Sequence, residues 1–154
     1  MNAGMGVMHS ERPPKDIHDI GGRQEIIQLW INTPAKNKMD QPLYHPLHAE
    51  NTPRYVSEDK LTTVNVVAGE VLGVKGPVPS ISPVNAATLD LKQGAKIFIP
   101  IPADYNAFAY LLDGKLNIEG YGLTEGHHVV VFAQDGEGVT LEALEDTRVL
   151  LMSG

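Results

Sequence analysis

From Leu61 to Gly154 the chain is punctuated by turn residues at intervals of roughly 8–12, the spacing of short antiparallel strands in a sandwich or barrel. Between those turns the apolar residues alternate. In residues 61–70, Thr62, Val64 and Val66 share one face, and Leu61, Thr63, Asn65 and Val67 share the other. Leu89 and Leu91 fall on one face of "ATLDLKQG", which ends at a glycine turn. "AKIFIPIP" follows, and then "NAFAYLLDGKLNIEGYG", in which Asp113-Gly114 separates two apolar runs. An Asp-Gly pair supplies the positive φ angles of a type I′ turn, so this spacing predicts a hairpin. Residues 127–154 predict three more short strands, separated by "QDGEG" and "LED". No stretch in this half has the period of an amphipathic helix.

A chain of 154 residues is enough for one domain or two small ones. With 42% hydrophobic and 20% charged residues, a packed core is expected. The net charge of -7 comes with no basic cluster, which argues against direct binding to nucleic acid or acidic lipid. There is no cysteine, so disulfides, thiolate nucleophiles and iron–sulfur clusters are excluded, and any metal must be held by His, Asp, Glu or backbone oxygen. No signal peptide and no apolar run of the roughly 18 residues that span a bilayer can be read. A soluble cytoplasmic protein is expected.

Residues 34–60 differ in composition. Pro34, Pro42, Pro46 and Pro53 break both helix and central strand, and the segment reads as an extended linker. It separates residues 1–33 from residues 61–154. "EIIQLWIN", residues 25–32, is β-branched and aromatic and reads as a strand. The alternation of its neighbours predicts Trp30 in a core or at a seam. Two or three strands in residues 1–33 cannot close a barrel, and their uncovered edges favour association. A homodimer, formed by strand exchange, is expected on that ground.

His9 and Glu11 are two apart, and on a strand they point the same way. Imidazole and carboxylate together suit Fe(II), Mn(II) or Zn(II). The spacing alone is weak, and the pair reads equally as a solvent-facing or partner-facing one. Adjacent His127 and His128 would point to opposite faces of a strand, one at the surface and one half-buried. His45 and His48 fall in the proline-rich stretch, and His18 lies in a loop beside Asp16 and Asp19. No nucleophile elbow is present, and the glycines of "GGRQE" lack the strand–helix setting of a phosphate loop.

"GMGVMHSERPP", "IIQLWINTPAKNKMDQPLYH" and "GEVLGVKGPV" resemble the pirin family of bicupins. The most specific part is the order and spacing of Gln28, Leu29, Trp30, Ile31, Asn32, Pro34, Lys38, Met39, Pro42 and Tyr44. The resemblance runs on through "FAYLLDGKLNIEG" and "ALEDTRVLLMSG". It implies an all-β protein of cupin-type barrels, in the double-stranded β-helix form. One C-terminal barrel is complete, over residues 61–154, and residues 1–33 belong to a partial N-terminal one. In the family the N-terminal barrel holds one non-haem iron through three histidines and a glutamate. His9 and Glu11 fall on the His-x-Glu half of that set. The His-x-His half lies upstream, on strands this chain does not carry. The resemblance therefore implies Fe(II) or another divalent metal as cofactor, at an incomplete site. In the second barrel, the place of a cupin His-x-His motif reads "IPIPADYNAF", without an imidazole.

Two functions follow from the resemblance. The first is a regulatory or binding protein that contacts a protein partner and needs no metal. The second is an oxygenase similar to quercetin 2,3-dioxygenase, with His9 as ligand and Glu11 as both ligand and proton acceptor. This oxygenase requires a second chain to supply the missing ligands. A fragment with no activity of its own is the plain alternative.

Overall fold

The computed structural model describes residues 1–154, which divide into two compact units, Met1–His45 and Pro46–Gly154. All of the strands lie in the second unit. In chain order they are β1 (Arg54–Val56), β2 (Thr62–Ala68), β3 (Glu70–Val71), β4 (Val74–Lys75), β5 (Asn85–Leu91), β6 (Lys96–Pro100), β7 (Ala107–Asp113), β8 (Lys115–Ile118), β9 (Gly122–Glu125), β10 (Val129–Phe132), β11 (Gly138–Ala143) and β12 (Thr147–Ser153).

The alternation read from the sequence is the burial pattern observed. Thr62, Val64, Val66 and Ala68 of β2 are buried and their neighbours are not. Leu89 and Leu91 of β5 are fully buried. The larger sheet has the order β1-β2-β5-β12-β7-β10, and the smaller one β6-β11-β8-β9. From β5 onward the two orders match position by position, β5 with β6, β12 with β11, β7 with β8 and β10 with β9. That correspondence is the double-stranded β-helix of a cupin, with β1 and β2 extending the larger sheet. The sheets share no hydrogen-bonded ladder, but they share one core. Leu89, Leu111 and Val149 from one sheet pack in a single cluster with Ile99, Leu116 and Leu141 from the other. At about 25 cal/mol per Å² of apolar surface, this burial is the main force holding the two sheets together.

Three sequence expectations change. Asp113-Gly114 is not a hairpin, because β7 and β8 lie in different sheets. The pair makes a corner. Gly114 has φ of 89°, its N–H donates to Asp113 Oδ1 at 2.9 Å, and the Lys115 N–H donates to the buried Thr147 hydroxyl at 3.0 Å. Asp-Gly specifies a positive φ, and the sheet each flanking strand joins is decided by its inward aliphatic face. The antiparallel hairpin is instead β8–β9, turned at Gly120, and β9 is a strand the sequence reading passed over. Within the proline-rich stretch, Arg54–Val56 is a strand rather than linker. Pro53 sits before its first residue and β1 pairs only with β2, the edge position where proline is tolerated.

Met1–His45 contains one short helix, α1 (Lys15–Ile20), a 3-10 turn at Ala35–Asn37 and a single bridge between Asn2 and Leu43. Residues 25–32 form no strand, and Trp30 is 88% exposed instead of packed. β-Propensity needs a neighbouring strand to act on, and nothing in this unit pairs with the segment. His18 falls in α1 rather than a loop, its Nδ1 3.0 Å from Asp19 Oδ1.

Two predictions concern the corner. A Cβ on Gly114 would meet Thr147 Oγ1 at 2.4 Å and the Asp146 carbonyl at 2.5 Å, whereas one on Gly94, at a similar φ of 83°, meets nothing. Both alanine variants carry the left-handed cost of about 1 kcal/mol, and Gly114→Ala should lose roughly 2 kcal/mol or more beyond Gly94→Ala in urea unfolding. Equal losses would contradict the corner. Beside it, Lys115 Nζ lies 2.8 Å from Glu125 Oε1. That hydrogen bond, and then the attraction between the charges, lowers the Glu125 pKa from its ordinary 4.5 and raises that of Lys115 from 10.5. The pair's contribution is complete between those two ordinary values. It is lost as pH falls through the lowered Glu125 value or rises through the raised Lys115 value. The small stability difference between wild type and Glu125→Gln should hold through neutral pH at low salt and vanish on acidification below 4.5. A difference that persists in acid would assign it to something other than this ion pair.

Candidate functional site

The barrel interior is the first place to look for chemistry, and its lining is aliphatic. Leu91, Ile97, Ala109, Leu111, Ile118 and Leu141 point inward, and the buried polar residues of the chain are Thr62, Thr124, Thr147 and Ser153. No buried side-chain oxygen or nitrogen lacks a hydrogen-bond partner. The interior therefore offers no imidazole or carboxylate to a metal. It also has no unsatisfied polar atom that a ligand would satisfy.

The adjacent histidines precede β10 in a turn, not on the strand. His127 takes φ of 65° and its N–H donates to the Leu111 carbonyl at 2.7 Å. His128 donates through Nδ1 toward the carbonyls of Glu125 and Gly126, at 2.9 and 3.1 Å. Both are exposed, where the sequence reading had one half-buried. The reason is the turn, which removes the alternation that a strand would impose. His45 and His48 are exposed as well.

His9 and Glu11 lie in an irregular segment. Even so, their side chains converge, with Nε2 and Oε1 3.6 Å apart and 42% and 62% exposed. Gln28 Nε2 donates to Glu11 Oε1 at 3.2 Å and ties the pair to the apolar segment 25–32. The geometry allows both groups to face one cation. The fit is partial, because no group of three or more His, Asp or Glu side chains comes together anywhere in the chain. A non-haem iron needs more donors than two. The pair makes one edge of such a site and does not by itself make the whole.

The sequence reading missed the open end of the barrel. The loops β6–β7, β8–β9 and β10–β11 all return there, and they enclose a cleft of about 370 Å³. Tyr105, Tyr121 and Phe132 give it aromatic walls, and Glu119 and Asp135 stand on its rim. Gln134 Nε2 donates to the Asp104 carbonyl at 3.2 Å and links two of the loops. A second hollow of about 470 Å³, between Leu72, Asn85 and Glu137, shares Ile101, Pro102 and Ala103 with it. Such a cleft arises from loops that meet only in three dimensions, so no local motif marks it. No helix of the chain is long and apolar enough to cross a membrane.

Comparison with known proteins agrees with this architecture. Residues 86–154, which span β5 to β12, match the Pirin C-terminal cupin domain. Over 160 residues the chain is 35% identical to Pirin-1 of Arabidopsis thaliana, covering all of this chain and 53% of that protein. It is 33% identical over 151 residues to human Pirin, covering 96% of this chain and 49% of the human protein. The chain thus spans about half the length of the curated relatives it matches. Among solved structures, quercetin 2,3-dioxygenase from Acinetobacter baumannii superposes with a TM-score of 0.77 at 27% identity, over 81% of this chain and 43% of that one. Together with the double-stranded β-helix, these matches show a pirin-type C-terminal cupin domain over residues 86–154, in a chain that is similar along its length to about half of a pirin.

Proposed function

We propose that this chain is a binding module of the pirin type, acting by contact with a protein partner and needing no metal, with His9 and Glu11 as two ligands of an incomplete non-haem metal site. The observation that carries the reading is the barrel interior. It is filled by aliphatic side chains and supplies no ligand, acid or base, so what Pro46–Gly154 offers a partner lies on its surfaces and in the cleft at its open end. Those surfaces are acidic. Met1–His45 holds five acidic and five basic residues, so the net charge of -7 belongs to Pro46–Gly154. A partner with a basic face fits that charge.

A second reading is favoured by the approach of His9 to Glu11 and by the likeness to a quercetin 2,3-dioxygenase. In it the remaining ligands come from another chain, and a bound divalent metal supplies the oxygen chemistry. His9 then serves as a ligand. Glu11, an exposed carboxylate beside it, is the group placed to accept a substrate proton.

Metal content separates the two. Plasma mass spectrometry of the purified chain and of His9→Ala should find well under one iron, manganese or zinc per chain in both. Near-stoichiometric metal in the wild type that disappears in His9→Ala would overturn the binding-module reading in favour of the oxygenase.

A further inference from the structure

Every residue that lines the cleft at the open end of the barrel falls between Ile101 and Val139, inside the matched cupin domain. Its walls are therefore complete in this chain. Buried Ala107 and Val139 form the inner end, Tyr105 and Phe132 are half-buried along the sides, and Tyr121 stands 60% exposed at the mouth. Three of the chain's nine aromatic residues meet in this one hollow. The backbone N–H groups of Tyr105 and Tyr121 donate to the Pro102 and Ile118 carbonyls, both at 3.0 Å, so both rings spring from fixed turns. The volume of about 370 Å³ is that of a small-molecule site, for which about 300–1,000 Å³ is usual. The enclosing loops carry one sign of charge. Residues 101–107, 119–121 and 131–139 hold Asp104, Glu119, Asp135 and Glu137, and no Lys, Arg or His. None of these four carboxylates enters an ion pair. The ion pairs of Pro46–Gly154, namely Lys92–Asp146, Lys115–Glu125 and Arg148–Asp90, all sit at the opposite end of the barrel.

We propose that this cleft binds a small organic cation, an alkylated ammonium, held against the rings of Tyr105, Tyr121 and Phe132 with Glu119 and Asp135 at the rim. An aromatic face carries the negative part of the ring's quadrupole and attracts a cation placed over it. The unneutralised carboxylates add a negative potential over the same opening, which concentrates cations and repels anions. A neutral apolar ligand would use the walls and leave that potential unused. A bare metal ion would need several chelating groups, and no three His, Asp or Glu side chains converge here. An alkylated ammonium uses both features, its alkyl groups against the rings and its charge beneath the carboxylates. The site goes beyond the protein contact proposed above and depends neither on it nor on His9 and Glu11.

The test is an amide NMR titration of the full chain with choline as the probe, at constant ionic strength. Its neutral isostere, in which a tert-butyl group replaces the trimethylammonium, is titrated beside it. Choline should shift the amides of residues 101–107, 119–122 and 132–139 with millimolar affinity or better. The isostere should bind about fivefold or more weakly, since it fills the same space without the charge. Tyr121→Leu should weaken choline binding by about the same factor and Tyr121→Phe should keep it, because the ring and not the hydroxyl makes the contact. Thermal unfolding of both variants should match wild type, as Tyr121 lies outside the buried core. No shift in those loops, equal affinity for the isostere, or undiminished binding by Tyr121→Leu would each overturn the proposal. If Tyr121→Leu fails to fold, the comparison of choline with its isostere on the wild-type chain decides alone.

Discussion

The fold rests on one packing interaction: aliphatic side chains at alternate positions of two sheets interlock in a single cluster. Strand order, corner geometry and the aliphatic interior all serve it. Each chain crossing between the sheets must turn sharply without losing the inward phase of its side chains. The Asp113-Gly114 corner does this with a glycine that has no room for a Cβ, braced by the buried Thr147 hydroxyl. The same packing decides the chemistry. A core filled this closely leaves no polar lining, so whatever Pro46–Gly154 recognises meets it at the open end or on the outer faces.

Met1–His45 follows the opposite rule. None of its apolar residues is buried. Its few ordered features are local: the helix Lys15–Ile20, the bridge between Asn2 and Leu43, and the Gln28–Glu11 hydrogen bond. The convergence of His9 and Glu11 is part of this local order.

What could be read from the sequence depended on the range over which each signal acts. The phase of Thr62, Val64 and Val66 and of Leu89 and Leu91 was legible, because alternation is local and burial obeys it. The family was legible too, from the spacing around Trp30. The sheet to which each strand belongs was not, since Asp-Gly encodes a dihedral angle and not a destination. β9 escaped notice because a four-residue strand of glycine, leucine, threonine and glutamate has little alternation to show. Residues 25–32 misled for the converse reason, as strong β-propensity has no effect without a neighbouring strand. The cleft lined by Tyr105 and Tyr121 lay beyond reach, being assembled from three loops distant in sequence.

The central claim is that the two units differ in kind, one held by its own core and one without a buried residue. Amide hydrogen exchange of the full chain, at a dilute and a concentrated condition, tests it most directly. The expected result is strong protection of β2 and β5 to β12 at both concentrations. Met1–His45 should exchange much faster than those strands at both concentrations. Protection of Met1–His45 in dilute solution as strong as that of the barrel strands would contradict the account.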